Sequence, residues 1–339
     1  MSSNEAAWLD GAGQKLRVAE AAMPEPGSDE IVIRNHAVAV NPADWKIQDT
    51  GMFIRNWPIV LGLDVAGEVH AVGSNVTRFK KGDRVMAHAV NLLTQKPQDG
   101  GFQNFTAVPA VATALLPDTI PYTAGAVLPL ATDTALVGLI GHDGKGLGLP
   151  YPSLHPKPLG KTIVVWGGSS SVGSAAIQLA VAAGARVVAV ASAQNLDFCR
   201  RCGATEAYDY KKGTIVEDVV EGVKAVGGKF VGVYDAISLE DQSYKYTLPI
   251  LEKLGGGVLA AVLALPKKIP DNVDALSVIA MNHVVCGPVW ERYITPALEA
   301  GKLQCLPEPL VMGKGLENVQ KGLDENKKGV SARKVVIEL

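Results

Sequence analysis

Apolar and polar positions follow two different rhythms along this chain, and the change comes near residue 160. Before residue 120 the apolar runs are short: EIVIRNHAVAVNP (30–42), PIVLGLDVAGEVHAVG (58–73), GDRVMAHAV (82–90) and FQNFTAVPA (102–110). Pro, Gly, Asn and Asp interrupt them at close intervals, which predicts a small all-β barrel. From about residue 160, apolar runs alternate with helix-period segments. Strands are expected at 162–166, 186–191, 206–208, 231–235, 257–262 and 283–286. Short apolar runs separated by helices predict a parallel sheet covered on both faces. Between the two rhythms, TAGAVLPLATDTALVGLIG (123–141) reads as a helix carrying the chain across. The Gly- and Pro-rich insert 142–161 reads as an ordered loop near a cleft. Helices are expected over 291–303 and 316–329, and KVVIEL (334–339) as a terminal strand; these last elements should return to the first lobe.

The sharpest local pattern is TIVVWGGSSSVGSAAIQLAVAAG (162–184). Ile163, Val164, Val165 and Trp166 form a buried strand that meets a small-residue turn. Val172, Ala175, Ala176, Leu179, Ala180 and Ala183 then recur at i, i+3, i+4, i+7, i+8 and i+11, the period of a helix. A strand, a tight turn and a helix N-terminus make an anion site, because unpaired N–H groups and the positive end of the dipole converge there. Gly167, Gly168, Ser169, Ser170, Ser171, Val172 and Gly173 would cradle a dinucleotide pyrophosphate, although Ser170 replaces the usual middle glycine. The expected organisation is a barrel domain over 1–125 and 288–339, with a dinucleotide-binding domain over 126–287.

The second strand of that domain decides which dinucleotide. It reads ARVVAVAS (185–192), and an NAD binder places Asp or Glu near its end to hold the ribose diol. From Gly144 to Leu196 there is no carboxylate at all. Ser192 takes the acidic position, Gln194 and Asn195 follow, and Arg200 and Arg201 lie within two helical turns. A 2′-phosphate, and hence NADPH, is favoured. The competing reading is that Ser192, Asn195 and Asp197 merely cap the next helix.

Composition narrows the class without naming it. The chain has 339 residues, 47% hydrophobic and 19% charged, as in ordinary globular proteins with a substantial core. A net charge of −2 and the lack of a basic stripe argue against nucleic acid. The start MSSNEAAWLDGAG lacks the basic and apolar regions of a secretory signal. No run of 18 uninterrupted apolar residues occurs, so no membrane span is expected. Cys199, Cys202, Cys286 and Cys305 suit a reducing, cytoplasmic compartment. The C-x-x-C at 199–202 falls in the helix after the second strand, a poor place for a redox or metal motif.

NPADWK (41–46), GLDVAGEVHAVGSNVTRFKKGDRV (62–85), LPLATDTAL (128–136) and GGSSSVG (167–173) follow one another in that order. Together they resemble the medium-chain dehydrogenase/reductase superfamily over almost the whole chain. The resemblance implies an α/β protein: a Rossmann doubly wound parallel sheet plus a chaperonin-10-like (GroES-like) β-barrel, with the cofactor in the cleft between them. The superfamily's alcohol dehydrogenases carry a catalytic Cys where this chain has Asn41, and a His where it has Leu63. The region of their four-cysteine structural zinc, near 88–112, contains no cysteine here. No metal is therefore expected, and alcohol oxidation through a Lewis acid is disfavoured. Zinc-free members mostly reduce activated alkenes or quinones with NADPH. The GLGLPYPS insert (146–153) is similar to that of the fungal ToxD-like group, which includes trans-acting enoyl reductases of polyketide pathways.

The resemblance also assigns residues. Asn41, Asp44 and Lys46 lie on the loop whose counterpart faces the nicotinamide, and Lys46 would bond a developing enolate or the nicotinamide ribose. Against this stands a solvated lysine paired with Asp44 or Asp49. Thr132 and Thr134 occupy a cofactor-contacting position, or bond back within their helix. Tyr210 matches a tyrosine near the adenosine 2′-phosphate in quinone reductases, while Asn195 stands where those enzymes have a lysine. Leu263 and Gly287, after the fifth and sixth strands, would line the nicotinamide pocket through their backbone. Met52, Phe53 and Trp57 suit an apolar acyl or aromatic substrate, or are ordinary core. Three functions remain open: an NADPH-dependent enoyl or ene reductase, an NADPH:quinone oxidoreductase, and a low-turnover NADPH-binding structural or regulatory protein. The partner in the first two is a small molecule. Delivery by an acyl-carrier protein, and the choice between monomer and homodimer, are open as well.

Overall fold

The computed structural model describes residues 3–142 and 144–339; Met1, Ser2 and Asp143, and the expectations that touch them, lie outside the described residues. The chain divides into two compact units, Met1–Leu130 with Glu308–Leu339, and Ala131–Pro307.

The first unit is built from short strands, as the punctuation by turn residues requires. A three-stranded sheet has the order β2 (Arg17–Ala21), β1 (Asn4–Leu9), β4 (Ile59–Val60). The larger sheet contains β3 (Glu30–Ala39), β5 (Asp64–Val72), β6 (Arg84–His88) and β8 (Thr113–Leu115), with β7 (Phe105–Pro109) paired to β3. Strands β3 and β5 run antiparallel and shift register twice, between Val32 and Ile33 and between Asn35 and Ala37. Such bulges bend strands and raise their twist, which is how a sheet curls toward a barrel. Helix α1 (Pro42–Thr50) starts at Pro42, whose missing N–H costs nothing at a first helical position. Helix α2 (Asn91–Thr94) and helix α3 (Tyr122–Gly125) are single turns.

The expected helix over 123–141 is two helices, because α4 (Pro129–Ile140) begins at a proline and the residue before a proline is driven out of the helical region. Tyr122–Ile140 has a mean hydropathy of 1.5 over its most apolar 18-residue window, but 78% of that window is buried inside the protein. In the second unit, strands β9 (Lys161–Trp166), β10 (Arg186–Ala191), β11 (Glu206–Asp209), β12 (Lys229–Asp235), β13 (Gly257–Ala261) and β14 (Val273–Ser277) form a parallel sheet. Their order is β11-β10-β9-β12-β13-β14, the doubly wound order with its reversal beside β9. Helices α5 (Ser171–Ala182), α6 (Leu196–Arg201), α7 (Ile215–Val226) and α8 (Lys245–Lys253) connect the strands.

Two expectations about this unit are corrected. The sixth strand is Val273–Ser277, whereas residues 283–286 open helix α9 (His283–Arg292). A short apolar run does not distinguish strand from helix by periodicity. Asn282 decides it by accepting the Val285 N–H at 3.2 Å, an N-cap. Helix α10 (Ile294–Glu299) follows, and both helices belong to this unit, so its boundary falls after Pro307 rather than after residue 287. In the insert, Ser153 N and Leu159 N donate to Ala182 O and Gly184 O at the C-terminal end of α5. A helix antiparallel to its strands ends at their amino edge. The later half of the insert therefore lies opposite the carboxyl edge that carries the glycine-rich turn.

The chain then re-enters the first unit. Strand β15 (Pro309–Lys314) pairs in parallel with β16 (Lys334–Glu338), β16 pairs antiparallel with β3, and α11 (Val319–Lys328) covers them.

Candidate active site

The turn between β9 and α5 has the geometry of an anion cradle. Gly167 adopts φ +76°, the left-handed region that a side chain strains. Both the Gly167 and Gly168 amides donate to Val190 O at 2.9 Å, which folds the turn against the end of β10. A Cβ on Gly173 would lie 2.1 Å from Gly167 O, so only glycine lets the helix start so close to the strand. Ser170 is the N-cap, and its Oγ accepts the Gly173 N–H at 3.0 Å. The Ser171 and Val172 amides, in the first turn, have no carbonyl of their own helix to reach. A pyrophosphate needs close backbone approach and open donors, and this turn supplies both.

Three of the expected cofactor residues are gathered beside it. Asn195 Nδ2 donates to Ser169 Oγ at 3.2 Å and to Ser192 Oγ at 3.0 Å, across the ends of β9 and β10. Neither Ser192 nor Asn195 uses its side chain to cap a helix. Tyr210 joins them through its amide, which donates to Ala191 O at 3.1 Å, while its ring stays exposed. Lys211, which the sequence did not single out, places Nζ 6.0 Å from the Tyr210 ring centre. Arg200 turns instead to Asp197 at 2.8 Å, an exposed pair on their own helix. Two serine hydroxyls and the Asn195 amide thus meet where an NAD site would hold a carboxylate, with Tyr210 and Lys211 next along the chain from β11.

Helix α4 carries the threonines. Thr132 Oγ1 is buried with no hydrogen-bond partner among the described residues, a state that costs free energy unless a ligand or water completes it. The Thr134 carbonyl accepts the Tyr234 hydroxyl at 2.7 Å. Between them, buried Asp133 accepts the Trp290 Nε1–H, which fastens α9 to α4. Gly287 lies buried within α9 rather than after a strand, so the expected backbone lining from that position does not arise in the way its sequence placement implied. Leu263 does follow β13 in a bend, where its carbonyl accepts the Ser277 hydroxyl at 3.2 Å.

In the first unit, Asn41, Asp44 and Lys46 separate into two roles. Asp44 Oδ2 accepts Asn41 N–H at 2.8 Å and Oδ1 accepts Gly62 N–H at 3.3 Å. Asn41 Nδ2 donates to Asp64 Oδ2 at 2.7 Å, and its Oδ1 accepts from Lys334 Nζ. The Lys334 ammonium also lies 2.8 Å from Asp64 Oδ2, with the two side chains only 3% and 0% exposed. Burial pushes the Asp44 carboxyl up to about 7, helped by the Asp64 charge and opposed by the two amides and by Lys334. Asn41 and Asp44 are thus spent on holding the start of α1, positioning residues rather than groups open to a substrate. Lys46, one half-turn on, is half-buried and makes no ion pair among the described residues: Asp44 is turned inward and Asp49 pairs with Lys327 at 2.7 Å. Burial draws its ammonium below the ordinary lysine range. The paired, solvated reading of Lys46 is therefore not what the structure shows.

This donor set does not fit a zinc ion. Leu63 has no ligand atom, Asn41 Oδ1 is taken by Lys334, and a divalent cation beside Asp64 would face an ammonium. Asp64 and Lys334 were not legible as site residues. A hint was the lysine that opens the mostly apolar terminal strand KVVIE.

Two family models match. One, described as alcohol dehydrogenase GroES-like domain, covers residues 27–118, and the other, described as zinc-binding dehydrogenase, covers residues 171–299. The chain is 50% identical to Dehydrogenase orsE of Emericella nidulans, over 100% of both chains. It is 42% identical to Trans-enoyl reductase himH of Aspergillus japonicus, over 99% of this chain and 97% of that protein. Among solved structures, an alcohol dehydrogenase superfamily protein from Novosphingobium aromaticivorans superposes with a TM-score of 0.77 at 24% identity, over 99% of each chain.

Proposed function

The chain belongs to the medium-chain dehydrogenase/reductase superfamily, and from that premise we propose that this oxidoreductase is a zinc-free, NADPH-dependent reductase of activated C=C bonds. The observation that carries the reading is Lys46, a half-buried ammonium without a carboxylate partner, anchored beside a cluster whose donors do not suit a metal. Likeness to a fungal trans-enoyl reductase supports the same chemistry.

Gly167–Gly173 and the first-turn amides of α5 would hold the pyrophosphate, and Ser192, Asn195, Tyr210 and Lys211 the 2′-phosphate, with Ser192 in place of a carboxylate after β10. The Thr132 hydroxyl offers a further hydrogen bond. When bound, NADPH supplies the hydride that the β-carbon of an α,β-unsaturated carbonyl accepts. Lys46 Nζ would donate a hydrogen bond to the carbonyl oxygen as negative charge builds there, and the α-carbon would then take its proton from solvent water. A lowered lysine proton affinity strengthens that donation. The apolar Met52, Phe53 and Trp57 suit an acyl or aromatic substrate, of secondary-metabolite or polyketide type, free or carried by an acyl-carrier protein. The protein would work in the cytoplasm.

The test is titration of the purified protein with NADPH and NADH by fluorescence, followed by enones, enoyl thioesters and quinones. Tight NADPH binding with alkene turnover is expected. Faster turnover of quinones would replace the reading with a quinone oxidoreductase, and binding without any turnover would make the protein a nucleotide-binding partner.

A further inference from the structure

Lys334 is buried, comes from the last strand, and ends on two groups that each belong to the start of a helix. Its Nζ reaches Asn41 Oδ1, at the N-cap of α1, across 293 residues of sequence. The same ammonium is 2.8 Å from Asp64 Oδ2, and Asp64 Oδ1 accepts the Leu130 N–H at 2.6 Å, in the first turn of α4. A carboxylate at a helix N-terminus satisfies an orphan amide and meets the positive end of the dipole. Asn41 Nδ2 closes the ring by donating to Asp64 Oδ2. One lysine therefore orients the amide at the N-cap position of α1 and the carboxylate that caps α4.

We propose that Lys334 is a positioning residue, whose ammonium locks the N-terminus of α1, which carries Lys46, to the first turn of α4. Asn41 is a symmetric-looking amide that is fixed from both ends: its oxygen accepts from the Lys334 ammonium, and its nitrogen donates to the Asp64 carboxylate. Without the ammonium, Asn41 Oδ1 loses its donor, the Asp64 charge is left buried without its ion-pair partner, and the start of α1 loosens. Lys46 then loses its aim although it touches none of these groups.

The inference rests on the reductase reading for its kinetic half only. Removing one member of a buried ion pair is strongly destabilising, so Lys334→Met alone is a poor test. The double variant Lys334→Met/Asp64→Asn removes both charges and keeps an acceptor for Leu130. Three measurements compare it with the wild type: thermal unfolding, hydrogen–deuterium exchange of peptides spanning 41–47 and 128–134 in the protein without nucleotide, and kcat and KM for an enone at saturating NADPH. We expect Tm to recover to near that of the wild type while exchange in both peptides rises at least tenfold. We expect kcat to fall about tenfold, with the NADPH Kd changed less than twofold. Recovery of Tm together with wild-type exchange would overturn the proposal, leaving Lys334 as a mere charge partner of Asp64. Wild-type kcat in a variant with raised exchange would overturn it too. If the wild type reduces no enone, the reductase reading fails, and the exchange result alone decides whether Lys334 locks the two helix starts.

Discussion

Residues 167–173 leave backbone donors open at a helix start, whereas Asn41, Asp44, Asp64 and Lys334 close their polar atoms on one another around two helix starts. The two regions use the same physical resource, the orphan amides of a helix N-terminus. In the second unit these amides lie open, and the proposed pyrophosphate would complete them. In the first unit a buried carboxylate of the chain itself takes the anion's place, and a buried ammonium neutralises it. The open region is local, seven residues whose glycines set the backbone. The closed one joins residues 293 positions apart. The proposed binding site is thus built where the chain can be read in a short window, and the proposed alignment of Lys46 where distant segments must meet.

If the open region works through backbone approach, Gly173→Ala should have the largest effect. Its Cβ would lie 2.1 Å from Gly167 O, so the turn must shift. Strain of about 1–3 kcal/mol is expected, and NADPH affinity measured by fluorescence should fall by up to about a hundredfold. Unchanged affinity would show that the turn is not the pyrophosphate cradle.

If the closed region serves to aim Lys46, removing that side chain should act on rate and not on cofactor binding. Lys46→Ala should lower kcat for an enone by about a hundredfold, the lower end of what a positioned proton-donating group contributes. The NADPH Kd should stay within twofold. A variant with full enone reduction would remove Lys46 from the chemistry.

Back in the open region, Ser192→Asp places a carboxylate against the Asn195 amide at the end of β10. It should weaken NADPH and strengthen NADH, shifting their Kd ratio by about tenfold, about 1.4 kcal/mol. An unmoved ratio would place the 2′-phosphate elsewhere.

The smallest effect concerns the closed region and pH. Asp44 titrates near 3.8 when unfolded and at about 7 when buried. Its folded form holds the proton more tightly, so its contribution is most favourable below about pH 4 and declines as pH rises toward 7. Asp44→Asn removes that decline: relative to the wild type, its Tm should rise by a few degrees as pH increases from 5 to 8. A parallel pair of Tm–pH curves would show that the Asp44 carboxyl is not held neutral.

The glycine-rich turn, the parallel sheet and the Ser192–Asn195 pair were legible because each follows from short-range rules: a strand's apolar run, a helix's period, a glycine where a Cβ has no room. Misreadings arose where local pattern is degenerate. VVCGPVW (284–290) suits a strand or a helix until Asn282 caps it, and Val273–Ser277 hid its strand behind Asp274 on an edge. Lys46 was legible as a candidate through its motif, but its freedom from Asp44 and Asp49 was not, since those carboxylates are claimed by Gly62 and by Lys327 from far along the chain.

Local pattern settled the two architectures, the anion turn and the absence of a carboxylate at the end of β10, because strand, turn and helix propensities act within a few residues. Tertiary structure alone decided which lysine is buried with Asp64, which stays unpaired, and which helix starts are closed. Those outcomes depend on burial and on partners brought together across hundreds of residues. A charge reveals its role only when water is removed and its neighbours are known.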